Sequence, residues 1–161
     1  MPTHVYHPTR TPASWWDRLL VHPMDSTVAA VSLIFGALAA TSLLAPGFIP
    51  SKSMDLMPLV VVVLVSVFLA AGGVLSLIGL NWPGDDVSTG WALERFGLLL
   101  SAGGFIAYSI SVSWHYPESV FSWVVTLVLG LGGLLRCLSV LMIERHTRRT
   151  IAEVKGEILD A

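Results

Sequence analysis

Charge is scarce in this chain of 161 residues, where Asp, Glu, Lys and Arg together make up 12%. An ordinary water-soluble domain carries about 25%. So few ions would leave large apolar patches exposed to water, so most of the chain must face another solvent. Cysteine is nearly absent: Cys137 stands alone, which excludes a disulfide framework and a paired thiol redox site. The net charge of −2 provides no basic excess for a polyanion, so a nucleic-acid partner is not expected. The low polarity also excludes a disordered tail. Strict alternation of apolar and polar residues is missing, which argues against a membrane β-barrel.

What the chain has is long apolar runs. Apolar residues make up 54% and the mean hydropathy is +0.74. Four runs stand out: Thr27–Ala45, Leu59–Leu80, Phe96–Trp114 and Val120–Ile143. Each reaches the roughly 20 residues that a helix needs to cross a bilayer core. Backbone polar groups in lipid must be satisfied within the segment, which makes helix the expected state. With their flanks, the spans are expected at 27–45, 59–80, 91–114 and 119–143, within one membrane domain covering 1–161. The connections are too short to house a soluble domain. Ala37-Leu38-Ala39 has the form of a signal-cleavage motif. However, the apolar run is too long and the preceding charges are balanced, so an uncleaved first span is expected.

Lys and Arg set the direction. Arg10 and Arg18 precede the first span, Arg95 begins the third, and Arg145, Arg148, Arg149 and Lys155 follow the fourth; the first and third connections together hold only Lys52. This bias predicts cytoplasmic termini. Tryptophans mark interfaces, with Trp82 and Trp91 on the inner side and Trp114 and Trp123 on the outer side.

Both ends carry amphipathic patterns. Ser14-Trp15-Trp16-Asp17 approximates a capping box, so an interfacial helix is expected over 14–22, anchored by Trp15 and Trp16 and ended by His22-Pro23. An ordered turn packed on the bundle is the other reading. Over 144–160, Ile151, Val154 and Ile158 recur at helical spacing, and Glu144–Arg148 and Arg149–Glu153 form i,i+4 pairs. That segment is either an amphipathic cytoplasmic helix or a solvated extension of the fourth span. The cluster Arg145, Arg148 and Arg149 suits anionic lipid headgroups.

Helices in lipid associate through small residues and hydrogen bonds. Ala29, Ser32, Gly36 and Ala40 share a face of the first span, and the second offers Gly72 and Ser76. In the third, Glu94, Gly97, Ser101, Gly104 and Tyr108 fall within about 80° at 100° per residue. In the fourth, Gly132 and Gly133 lie one turn from Arg136. These seams hold helices together either within one subunit or between copies. Glu94 and Arg136 are expected to form a salt bridge, extended by Ser101 or Tyr108, because an unpaired intramembrane charge costs about 2.5–3.5 kcal/mol on insertion scales. The pair reads as a clamp between spans or as the lining of a polar path; Arg136 snorkelling to the headgroups is the alternative. Gly72-Gly73 and Gly132-Gly133 echo each other at an offset of 60 residues, a pattern that apolar sequences also produce by chance.

Catalytic chemistry is not in evidence. His4, His7, His22, His115 and His146 are scattered without ligand spacing, so no metal site is expected. Asp85 and Asp86 sit in a turn-forming Pro83-Gly84 context. No phosphate loop, nucleophile elbow or small-molecule site is evident, and neither an enzyme nor a cofactor is expected.

The stretch from Trp91-Ala92-Leu93-Glu94-Arg95-Phe96-Gly97 through Tyr108, then Tyr116-Pro117 through Trp123, and finally Arg136 to Thr150, resembles small four-span membrane proteins of actinobacterial bacteriophages that are labelled holin-like. The resemblance covers the last two-thirds of the chain. It implies a phage protein that self-associates in the host inner membrane and permeabilises it for lysis. Most holins have one to three spans, and this chain departs from that pattern with four. A non-lytic scaffold, a superinfection-exclusion factor or an accessory subunit of a larger complex is the alternative. The fold expected on all these grounds is all-α: four transmembrane helices in an up-down bundle, with short amphipathic helices at both cytoplasmic ends. Its partners would be the lipid bilayer and further copies of the chain.

Overall fold

The computed structural model describes residues 23–45, 47–82 and 87–159; described side chains run to Met142, apart from Val87, and include Arg145 and His146. The expected 14–22 helix with Trp15 and Trp16 lies outside the described residues, as do the side chains of Arg148 and Arg149. The described residues are helical with short connections and no strand.

Helix α1 spans Pro23–Leu44. It begins four residues before the expected start because Pro23 suits the first helical position. Asp25 suits the positive end of the helix dipole, although as a charge it falls outside an apolar run. The helix ends at Leu44, and beyond it Gly47 adopts φ +92°, a conformation that favours glycine. A short helix, α2 (Lys52–Asp55), follows; the Ser51 side chain caps it by accepting from the Met54 amide. Helix α3 covers Leu59–Leu80 and α4 covers Val87–His115. Helix α5 runs unbroken from Val120 to Leu159. Its 40 residues span about 60 Å, twice the hydrocarbon thickness. The fourth span and the C-terminal segment are therefore one helix instead of two elements. Four helices, α1, α3, α4 and α5, are long and apolar enough to cross a membrane.

They pack in sequence order: α1 on α3, α3 on α4 and α4 on α5. Glycine and serine explain the closeness of the first two contacts. Between α1 and α3, Gly36 faces the backbone of Ala70, and a Cβ on Gly73 would stand 2.6 Å from the Leu33 nitrogen. Two serines cross the same contact in opposite senses. Ser32 Oγ lies 3.0 Å from the Leu69 carbonyl oxygen, and Ser66 Oγ donates to the Gly36 carbonyl at 3.3 Å. Between α3 and α4, Gly72 faces Ser101 and Gly97 faces Ser76, so two Gly-x-x-x-Ser segments interlock. Gly79 meets Glu94, and Gly104 meets Leu69. Between α4 and α5, Gly130 faces Ile106 and Gly133 faces Ala102, while Ser109 Oγ donates to the Trp123 carbonyl at 2.7 Å. In every contact, residues pair in opposite chain order. The α1 seam uses Ala29, Ser32, Gly36 and Ala39; Ala39, not Ala40, continues it.

The core has two parts. Val65, Leu69 and Phe105 fill the middle, where Phe35 meets Phe105 edge to face with ring centroids 6.3 Å apart. Nearer α2, Met54 and Met57 from the first connection join Ala39, Val62 and Val112. Ser53 is hydrogen-bonded to Tyr108 Oη at 3.2 Å. The first connection thus folds back over the bundle end instead of looping free.

Candidate functional site

Three of the four long helices send a charge to one end of the bundle. Arg136, on α5, directs Nη2 to Asp25 Oδ2 of α1 at 2.7 Å and to Glu94 Oε1 of α4 at 3.5 Å. The Glu94–Arg136 approach anticipated from the sequence is therefore present. The shorter contact, however, is to Asp25. Asp25 lay outside the apolar runs searched for intramembrane charge, although its place in a helix first turn was the signal that could have revealed it. A planar guanidinium can serve two carboxylates at once, which a lysine ammonium does less well. Ser101 and Tyr108 do not extend the cluster. Ser101 Oγ lies 2.8 Å from Ser32 Oγ, and Tyr108 turns to Ser53. The nearest described neighbours on the sequence are occupied locally: Arg95 Nε donates to the Trp91 carbonyl at 3.2 Å, and Cys137 Sγ lies 3.9 Å from the Arg95 carbonyl.

The cluster closes one end of a groove between α1 and α5, two helices that otherwise keep apart. Met24 and Val28 form the α1 wall, and Val128, Leu129 and Gly132 form the α5 wall. Buried Leu98 of α4 lies at the bottom. The groove holds about 300 Å³. Among the described residues, Gly132 is the one seam glycine of the sequence reading that no helix covers; a Cβ there would meet nothing within 4 Å. Gly36, Gly97, Gly104 and Gly133 each face a neighbouring helix of the same chain.

The remaining sequence markers divide by place. Trp82 and Trp91 are half-buried, Trp82 beside Gly90. Trp114 is 83% exposed at the end of α4, whereas Trp123 packs on the Met54–Val112 cluster. His115 Nδ1 is turned onto its own helix, 2.9 Å from the Ser111 carbonyl. Among the described residues no three His, Cys, Asp or Glu side chains converge as a metal site; His4, His7 and His22 lie outside them.

A second cavity of about 320 Å³ opens between the end of α1 and the start of α3, lined in part by Ser42, Phe48, Met54 and Asp55. Phe48 and Ile49 on its rim are exposed, which suits the lipid interface. Ser111 Oγ lies 3.5 Å from His115 Nδ1, but the shorter contact of that nitrogen is to the Ser111 carbonyl at 2.9 Å. Comparison with protein-family models, curated proteins and solved structures finds no match. The four apolar helices are compatible with an integral membrane protein.

Proposed function

We propose that the chain is a compact four-span subunit of a bacterial inner membrane with both termini cytoplasmic, acting as a non-lytic scaffold, exclusion factor or accessory subunit of a larger complex. One observation carries this reading: the polar and small-residue faces are spent within a single chain. The third span supplied the only wettable stripe, and its Glu94, Gly97, Ser101 and Gly104 are buried. A helix lining a wide aqueous lesion must instead turn such a face to water. The outward faces are apolar, as with Leu135 on α5 and Ile34 on α1, and lipid suits them as they stand. The basic residues that follow the fourth span fit anionic headgroups on the cytoplasmic side.

The holin-like reading has one observation in its favour beside the resemblance: the uncovered Gly132 on α5 offers a place for a further copy. Expression in a bacterial host, with membrane potential and viability followed over time, separates the two. Stable potential in cells holding abundant folded protein supports the compact subunit. An abrupt loss of potential at a defined moment supports lysis.

A further inference from the structure

The groove between α1 and α5 has a shape and an ionic end that identify its occupant. We propose that it holds one acyl chain of a phospholipid whose headgroup carries both a phosphate and an amine, of the phosphatidylethanolamine type. The inference stands on the membrane-spanning bundle alone and is independent of whether the protein is lytic.

Width comes first. Asp25 and Arg136 touch at 2.7 Å, so at that end α1 and α5 are one pair of side chains apart. A helix about 10 Å across cannot lie between α1 and α5 at that end, and a second copy covering the groove from the lipid side is the rival occupant that the test below separates. An extended hydrocarbon chain can lie there. From Val128 to Arg136 the α5 wall rises about 12 Å, parallel to the direction in which lipid chains run. The walls of Met24, Val28, Val128 and Leu129 are apolar, and uncovered Gly132 leaves the channel open where a side chain would block it. Left unfilled, such a channel forfeits the dispersion contacts of its lining.

Charge complementarity selects the headgroup. Arg136 is 29% exposed and Asp25 18% exposed, so both signs remain within reach at the mouth. A zwitterionic headgroup meets the guanidinium with its phosphate and the carboxylate with its ammonium. A headgroup with only negative charge would bring like charge against the Asp25 carboxylate that lines the groove.

The test uses the full chain reconstituted in vesicles of equal phosphatidylethanolamine and phosphatidylglycerol, then extracted gently and weighed by native mass spectrometry. Wild type should retain a single phosphatidylethanolamine, favoured over phosphatidylglycerol by about tenfold, or about 1.4 kcal/mol. Gly132→Leu fills the channel without meeting another helix and should reduce retention by about tenfold at an unchanged unfolding temperature. Val128→Trp, at a position 62% exposed, blocks the same channel from outside and should do likewise. Asp25→Asn should keep a lipid but lose the headgroup preference. Equal retention of both lipids in the wild type would overturn the headgroup assignment. Undiminished retention in both blocking variants, or a lipid-free dimer that Gly132→Leu dissolves, would overturn the acyl-chain site itself.

Discussion

The inner helices α3 and α4 and the outer helices α1 and α5 are made of similar residues yet live differently. Half of the apolar window of α4 is buried inside the protein, against 22% for α1 and for α5. The most buried of the four is also the least apolar. In water the order would be reversed. In lipid, apolar surface gains nothing by leaving the solvent, so glycine, serine and ionic groups sort the inside from the outside. Helix α4 carries Glu94, Gly97, Ser101, Gly104 and Ser109, all buried, and each either admits a neighbour's backbone or finds a polar partner there. Outer α5 turns Val128, Leu131, Leu135 and Met142 outward. It is held to the bundle by one flank and, through Arg136, by an ionic tie to α1 and α4.

The strongest way to break this contrast is to crowd the inner seam. Gly97→Leu would drive a side chain into the α3 backbone at Ser76, with the Gly72 carbonyl 2.7 Å from the new Cβ. It should cost about 3 kcal/mol or more, seen as a large fall in unfolding temperature in mild detergent. A normal melting curve would mean that α3 and α4 are not the packed centre.

Arg136→Met comes next. Removing one partner of a buried ion pair costs about 3–5 kcal/mol; at 29% exposure solvent screening lowers this to about 2 kcal/mol. Glu94→Gln and Asp25→Asn should each cost less than half of that, since Arg136 keeps the other carboxylate. The same detergent melts read all three variants. Single-carboxylate losses as large as the Arg136 loss would show that the shared cluster acts as one indivisible unit.

Ser32→Ala and Ser66→Ala remove the two opposed contacts between α1 and α3, the first taking the Ser32–Ser101 contact to α4 with it; each hydrogen bond is worth about 0.6 kcal/mol in a membrane interior. Their double variant should be additive in the same assay only if the two bonds are independent. At the bottom of the scale is Gly132→Ala, which should stay within about 0.5 kcal/mol of wild type because its new methyl meets nothing. A cost like that of Gly97→Leu would show that α5 has a hidden neighbour at this position.

Much of this architecture was legible beforehand, for reasons that also explain what was not. Four apolar runs are read off composition because the hydrocarbon core imposes their length. The interior of α1 and α4 followed from small residues recurring at helical spacing, and the second run coincides with α3 from Leu59 to Leu80. The starts of α1 and α4 were read late by about one turn, whereas those of α3 and α5 fell within a residue of Leu59 and Val120. The first residues of α1 and α4, from Pro23 and Val87, are polar or turn-like in composition while fully helical in geometry. Asp25 was lost for the same reason, and with it the ionic tie between α1 and α5. The neighbours of Gly132 and Gly133 were beyond reach. Adjacent positions on one helix point about 100° apart, and only the placement of α4 leaves the first uncovered and the second against Ala102. The folding of Met54 and Met57 into the core was unreadable too, since the first connection carries no apolar run.

If the packing seams operate within one chain, Phe35 of α1 and Phe105 of α4 must meet inside that same chain. In a Cys137→Ser background, Phe35→Cys and Phe105→Cys would be combined in one chain, or placed on separate chains of different tag that are co-expressed, and treated in membranes with a short bis-thiol reagent. Efficient linkage is expected in the double variant at the mobility of a single chain, with no linked product between the two single variants. A covalent dimer joining the differently tagged chains would contradict it, and would assign the seams to assembly between copies.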